Sequence, residues 1–287
     1  MTSRTTTSIA PILVTGGTGT LGSQVVERLL DAGRDVRVLA RHRPEDAPNR
    51  TGLRFVEADL ATGEGVDAAV AGAETIVHTA GSQKGDEDKA RHLVRAAKAA
   101  GTRHLVYISV VGADRIPVNG PLDRAIFGYF DAKHGAERIV AESGLPWTTL
   151  RATQFHDLTF KTVEAMAKLP IVPVPAGWHF QPIDSGEVAD RLVDLALGTP
   201  AGLVPEIGGP QVIDMADLVR SYLNAIGKSR RIVRLPLPGS AARAFRDGAN
   251  LTPDRAVGQR PWGAFLTERL REPAGRRHAT AGDSSRA

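Results

Sequence analysis

Residues 11–22 read Pro11-Ile12-Leu13-Val14-Thr15-Gly16-Gly17-Thr18-Gly19-Thr20-Leu21-Gly22. Ile12 to Thr15 are a run of apolar and β-branched residues of the kind that makes a buried strand. Gly16, Gly19 and Gly22 then fall at G-x-x-G-x-x-G spacing, and Leu21, Val25, Val26, Leu29 and Leu30 recur with helical period. A tight turn needs a residue that tolerates positive φ, and a diphosphate needs backbone without a Cβ in the way. The helix start that follows offers unpaired N–H groups and a partial positive charge to phosphate. A second apolar run, residues 36–39, comes after Ala32-Gly33, so the glycines sit inside a strand–turn–helix–strand unit. That setting separates a dinucleotide site from a merely flexible turn.

The alternation continues down the chain. Apolar runs at 53–56, 75–78, 104–109 and 147–151 read as strands, and 65–71, 87–100 and 122–142 as the helices between them. Such a rhythm implies an α/β fold with a Rossmann-type, doubly wound parallel sheet. Beyond Arg151 the rhythm loosens. Pro170, Pro173 and Pro175 mark a loop, residues 185–197, 215–226 and 240–246 read as helices, and 231–235 as a strand. Asp184, three residues before Glu187, gives a capping-box start to the first of these helices. The division expected is an NAD(P)-binding core over 1–151 and, over 152–271, the remaining sheet elements with a small C-terminal substrate lobe above the carboxyl ends of the strands. A disordered tail, rich in Arg, Ala, Gly and Ser, is expected over 272–287.

Composition excludes several classes. The 36 basic residues are interspersed with 32 acidic ones for a net charge of +4, with no basic stripe, which argues against nucleic acid as the partner. The absence of cysteine removes disulfides and thiolate chemistry. His78, His134, His156 and His179 lack metal-ligand spacing, so no metal is expected. The polar start and the lack of any run near the ~20 apolar residues of a membrane span point to a soluble cytoplasmic protein, a monomer or homodimer, with a small-molecule substrate and no membrane partner.

Three places could carry chemistry. The second strand ends in Arg41-His42-Arg43, where an NAD-preferring site would hold a carboxylate for the ribose 2′-hydroxyl. A guanidinium there can bind a 2′-phosphate through two charge-assisted bonds, which favours NADP(H) over NAD(H); ordinary surface arginines would give the same pattern. Asp59-Leu60 and Thr79-Ala80-Gly81 close the third and fourth strands. Asp59 suits an adenine amino group or a helix cap equally, and the small Ala80 and Gly81 leave room for a cofactor to pass. Tyr129 and Lys133 lie four apart on a helix, hence on one face. The ammonium can lower the phenol from its ordinary ~10, making a usable general acid. An unremarkable amphipathic helix is the competing account. His156 and Asp157 could line the substrate side or a solvated loop, and Trp178 to Gln181 could cover a flat substrate or pack between lobes.

Together, Gly16 to Gly22, Tyr107-Ile108-Ser109-Val110-Val111-Gly112, Tyr129 to Lys133 and Leu150-Arg151-Ala152-Thr153-Gln154-Phe155 resemble the atypical short-chain dehydrogenase/reductases. The nearest group is the NmrA-like, NAD(P)H-binding branch that includes quinone and triphenylmethane reductases, over about residues 10 to 270. The resemblance implies that Gly16, Gly19 and Gly22, with the adjoining Thr18, Thr20 and Leu21, hold the pyrophosphate. It also implies that Thr153 to Phe155 lie near the nicotinamide, with Ser109 and Lys133 in the cofactor set. Catalytic members carry a Ser or Thr after the fifth strand; here Ser109 falls about two residues early and Val111 holds the expected place. The expected function is an NAD(P)H-dependent oxidoreductase reducing a small carbonyl, quinone or other aromatic carbonyl, with Tyr129 as acid and Lys133 as its tuner. A cofactor-sensing binding protein without turnover is the second reading, motivated by Val111. A sugar-nucleotide epimerase would need a second diphosphate site, and the C-terminal half shows no basic cluster for one.

Overall fold

A computed structural model describes residues 10–45, 47–81 and 85–272; residues 273–287, most of the expected tail, lie outside the described residues. The first half runs β1 (Ile12–Thr15), α1 (Thr20–Asp31), β2 (Val36–Ala40), β3 (Leu53–Glu57), α2 (Val66–Val70), β4 (Thr75–His78), α3 (Asp86–Ala99), β5 (His104–Val110), α4 (Pro121–Ala141) and β6 (Trp147–Ala152). The second half runs α5 (His156–Met166), β7 (Ile171–Pro175), β8 (His179–Phe180), α6 (Ser185–Leu197), β9 (Gly202–Leu203), β10 (Ile213–Asp214), α7 (Met215–Ala225), β11 (Arg231–Leu235), α8 (Ser240–Arg246) and α9 (Trp262–Arg271).

Seven parallel strands form the central sheet in the order β3-β2-β1-β4-β5-β6-β9. Because side chains alternate across a strand, its two faces bury different sets. Ile12, Val14, Val106 and Ile108 pack under α1 and α6, with Val25, Leu29, Val188 and Leu192. Leu13, Ile76, Leu105 and Tyr107 pack under α2, α3 and α4, with Val66, Leu93, Ala136 and Val140. Burial on both faces accounts for the nearly continuous apolar runs of the sequence. The chain winds outward in one direction through β1, β2 and β3 and in the other through β4, β5 and β6. The strand order therefore reverses between β1 and β4, and a crevice opens at their carboxyl ends.

Three expectations for the second half change, and the packing alternative for Trp178 describes its burial. The proline-marked loop is instead strand β7, which pairs in parallel with β11 and buries Val172 and Val174. A two-stranded sheet is all edge, and edges tolerate Pro173 and Pro175. His156 opens a helix rather than a loop; it is fully buried, its Nε2 2.9 Å from the Arg260 carbonyl, against Trp262 and Phe265. Asp184 caps α6 by accepting from the Gly186 N–H at 2.7 Å, but Glu187 does not reach back to it. Glu187 accepts instead from the Gln259 and Arg260 N–H groups, at 2.8 and 3.0 Å. Trp178 is buried among Phe127, Phe180 and Phe245. Among the described residues no helix is long and apolar enough to cross a membrane.

Candidate active site

The glycine loop is built by close approach. Gly16 has φ +70°, and a Cβ there would lie 2.7 Å from the Ala80 nitrogen, so the loop after β1 presses on the end of β4. A Cβ on Gly22 would lie 2.1 Å from the Gly16 carbonyl oxygen, and one on Gly17 would strike Val38. Gly19 is the N-cap of α1, and no carboxylate stands in the first turn. A glycine cap has no side chain to offer the helix N–H groups, which suits an outside anion. Thr18 is exposed, whereas Leu21 is buried in the core, leaving only its backbone to face a ligand.

Around this crevice the sequence candidates divide. Arg41 and Arg43 are exposed past the end of β2, Arg43 with its guanidinium 5.8 Å from the Phe55 ring centre. Asp59 accepts from the Ala61 N–H at 2.7 Å, a local turn bond, while Leu60 is buried. Thr153 is engaged on both sides: its hydroxyl donates to the Gln181 carbonyl at 2.5 Å and accepts from the Gly209 N–H at 3.3 Å. Phe155 packs part-buried against the core, bridged to Ile183. Gln154 lies between them, with both ends of its amide out of solvent and without a partner among the described residues.

Tyr129 and Lys133 come together with residues that the sequence did not mark. Lys133 projects from α4 toward the end of β4 and is only 3 % exposed. Its Nζ would be 2.8 Å from a Cβ on the exposed Gly81, so the missing side chain makes room for the ammonium. Nζ lies 3.2 Å from Asp86 Oδ2 and donates to the Ile108 carbonyl at 3.4 Å. It sits 5.1 Å from the Tyr107 ring centre and 5.9 Å from that of Tyr129, which is half-buried. Leu105, Tyr107 and Ser109 share the face of β5 that meets α3 and α4. The Tyr107 hydroxyl and Ser109 Oγ are buried with no hydrogen-bond partner among the described residues. Val111, one residue past β5, is fully buried and gives its N–H to the Ala152 carbonyl. Beneath Tyr107, His78 stacks on its ring and meets Thr15 Oγ1 at 2.6 Å.

Asp86 escaped the sequence reading for a plain reason, and Tyr107 and His78, though named there, were given no part beside Lys133. Asp86 is the first of three acidic residues, Asp86-Glu87-Asp88, a composition that reads as an ordinary helix start.

The electrostatics reverse one expectation. The Tyr129 phenol is pushed up, not down: burial acts most strongly, the Lys133 ammonium opposes it, and the Asp86 carboxylate adds to the rise. Burial likewise lifts Tyr107 to about 12 against the pull of Lys133. For Lys133, burial disfavours the charge, but the two phenols and Asp86 outweigh it, and the ammonium is held above its ordinary value. His78 is pushed down to about 3 by burial first and Lys133 second, and is neutral.

Two open hollows of about 580 and 430 Å³ lie elsewhere, on either side of Pro205, Glu206 and Arg255 near edge strand β9; no residue of the crevice lines them. Among the described residues no three acidic or histidine side chains cluster as a metal site would.

A family model described as NAD(P)H-binding matches residues 16–195, well over half of the chain. The chain is 29 % identical over 227 residues to a (4-alkanoyl-5-oxo-2,5-dihydrofuran-3-yl)methyl phosphate reductase of Streptomyces griseus, covering 78 % of this chain and 77 % of that protein. It is 25 % identical over 238 residues to the photosystem II assembly factor Ycf39 of Trieres chinensis, covering 79 % and 72 %. In structure it resembles an NADPH-dependent quinone oxidoreductase of Escherichia coli solved with NADPH. The TM-score is 0.76 at 20 % identity, over 90 % of this chain and 99 % of that one. The glycine crevice at the β1–β4 switch point thus falls within the matched span, and the chain belongs to the NAD(P)H-binding oxidoreductase family, in the atypical, NmrA-like branch of the short-chain dehydrogenase/reductases.

Proposed function

We propose that the protein is an NADPH-dependent reductase of a small, fairly apolar carbonyl or quinone-like acceptor, acting in the cytoplasm. The observation that carries this reading is the Lys133 ammonium held behind Gly81 with the Tyr129 ring 5.9 Å away, at the carboxyl end of the nucleotide-type sheet. The residues present fit a dinucleotide. Gly16, Gly19 and Gly22 form a cradle that β-carbons would fill, and the uncapped start of α1 offers its N–H groups to a pyrophosphate. Arg41, with Arg43 beside it, would take a 2′-phosphate. Asp59 and Leu60 would flank adenine. Ala80, Gly81 and Lys133 would meet the nicotinamide ribose, and Ser109, Thr153 and Phe155 would border the ring, Thr153 through its backbone.

When bound, the cofactor supplies hydride. The chain's own part is orientation and a proton. Tyr129, kept protonated by its surroundings, donates its phenolic hydrogen to the oxygen on which charge develops, and solvent restores it. Lys133 orients the phenol and steadies the charge that forms. Reduction of a furanone phosphate by one relative and of quinones by a structural neighbour supports a carbonyl-type acceptor.

The test is NADPH consumption against a panel of quinones, enones, ketones and aldehydes. With an acceptor in hand, Tyr129→Phe is expected to lower kcat roughly 10²- to 10⁴-fold; full turnover by the variant removes Tyr129 from the mechanism. A second reading, a cofactor-occupied binding protein without turnover, is favoured by Val111 standing where catalytic members carry a hydroxyl and by the assembly factor among the relatives. Tight NADPH binding with no consumption across the panel selects it.

A further inference from the structure

We infer that Asp86 is a positioning residue of this site: its carboxylate pins the Lys133 ammonium behind Gly81 and balances its charge there, so that Tyr129 meets the acceptor as a hydrogen donor. This rests on the reading of Tyr129 as the proton donor.

The geometry singles out Asp86 from its neighbours. Three acids open α3, and two of them face outward: Glu87 and Asp88 pair with Arg91 at 2.8 and 2.7 Å on the surface. Asp86 turns inward and is 1 % exposed. A carboxylate supporting the helix start alone would do so in solvent, since burying it unpaired is costly. Here Oδ2 meets Lys133 Nζ at 3.2 Å, and Oδ1 meets Lys89 Nζ at 3.6 Å from the next turn of the same helix. Gly81 leaves room for the pair. A Cβ at that position would sit 2.8 Å from Nζ and 3.3 Å from Asp86 Oδ2, so any side chain there would press on both members of the pair.

Among the described residues, the ionisable groups that face the pair are Asp86 and Lys89 from α3, His78 from β4, Tyr107 from β5 and Tyr129 from α4. His78 is neutral and both phenols are protonated, so among these groups it is Asp86 that offsets the Lys133 and Lys89 charges. Without it, Tyr129 would face uncompensated cations and ionise more readily. A phenolate cannot donate. Asp86 therefore widens, toward alkaline pH, the range over which Tyr129 can give up its hydrogen.

The experiment follows phenol ionisation directly, by tyrosinate absorbance against pH in the full chain, with the matching Tyr129→Phe protein subtracted each time. Asp86→Asn is expected to move the Tyr129 titration down by about one pH unit or more. The alkaline limb of kcat for NADPH-dependent reduction should move down with it. Adding Lys133→Met should bring the titration back up, because the cation responsible is gone. A titration that does not move in Asp86→Asn, or a shift that persists in Asp86→Asn/Lys133→Met, overturns the proposal. If Asp86→Asn does not fold, Lys133→Met asks the same question. Its Tyr129 titration should lie above that of wild type and fall again when Asp86→Asn is added, and no fall overturns the idea. Full turnover by Tyr129→Phe overturns the donor role itself, a failure distinct from an unmoved phenol.

Discussion

Gly22 passes so close to Gly16 that a Cβ on Gly22 would stand 2.1 Å from the Gly16 carbonyl oxygen and 2.7 Å from Thr79 Oγ1. The first is backbone and cannot swing aside, so Gly22→Ala must push the loop off β4 or shift α1. We expect a loss of about 1–3 kcal/mol in denaturant unfolding, typical of overpacking. Gly19 differs. Its φ of −87° and ψ of 174° suit alanine, and its Cβ would meet only the Gly16 oxygen, at 3.3 Å. Gly19→Ala should therefore keep the fold while its methyl group obstructs the anion, weakening NADPH binding roughly tenfold or more by fluorescence titration. Unchanged affinity would remove the phosphate from this turn.

Arg41 follows β2 immediately and is exposed, with no carboxylate partner among the described residues. If it takes a 2′-phosphate, Arg41→Ala gives up about 1.5–3 kcal/mol of charge-assisted bonding. NADPH affinity should then fall on the order of 10- to 100-fold while NADH affinity stays within about twofold. Arg43, lying over Phe55, should matter less. Equal losses for both cofactors would place Arg41 elsewhere than at the phosphate.

His78 makes stability depend on acid. Burial, seconded by Lys133, pushes its folded value down to about 3 from 6.5. Between those limits the unfolded chain binds a proton that the folded chain refuses, so the unfolded state gains as pH falls. The His78 contribution is complete above about pH 6.5 and lost progressively toward pH 3, by up to roughly 5 kcal/mol. His78→Gln removes the ionisation while keeping a polar partner for Thr15. It should cost some stability at pH 7.5, yet lose less than wild type in urea unfolding between pH 7 and pH 4. Equal losses would sink the assignment.

Much of this was legible in the sequence because the first half obeys local rules. Strands β1 to β6 are apolar runs bounded by glycine or charge, and their helices carry 3.6-residue stripes. The second half hides its elements in non-local contacts. Helix α5 buries His156 and Thr159 with Phe160 and Val163, so its inner face is half polar, and α9 buries Arg269 beside Trp262 and Phe265. Strands β8, β9 and β10 are two residues long and exist only through their partners. The site shows the same split. The glycines and the i, i+4 pair of Tyr129 and Lys133 could be read from spacing. That the cation is held by Asp86, and that Tyr107 shares it, depends on how α3, α4 and β5 meet.

Arg151 ties that arrangement down from the other side. Its guanidinium, at the end of β6, grips Glu137 of α4 with two bonds of 2.8 and 2.6 Å, and its remaining nitrogen meets Asp114 at 2.8 Å. Arg151 and Glu137 are both buried, and Glu137 sits one helical turn beyond Lys133. Glu137→Leu leaves the guanidinium with Asp114 and Glu206, both more exposed, and should cost about 3–5 kcal/mol in unfolding, the penalty for breaking a buried pair. Arg151→Met/Glu137→Leu should recover most of that loss, because no uncompensated charge remains and Glu206 keeps Arg115 at 3.0 Å. The pair would then serve to orient α4 more than to stabilise it. The discriminating measurement is turnover in the double variant: recovered stability with kcat still reduced assigns Arg151 and Glu137 to holding Tyr129 and Lys133 in register. Recovery of both together makes the pair a stability element and nothing more.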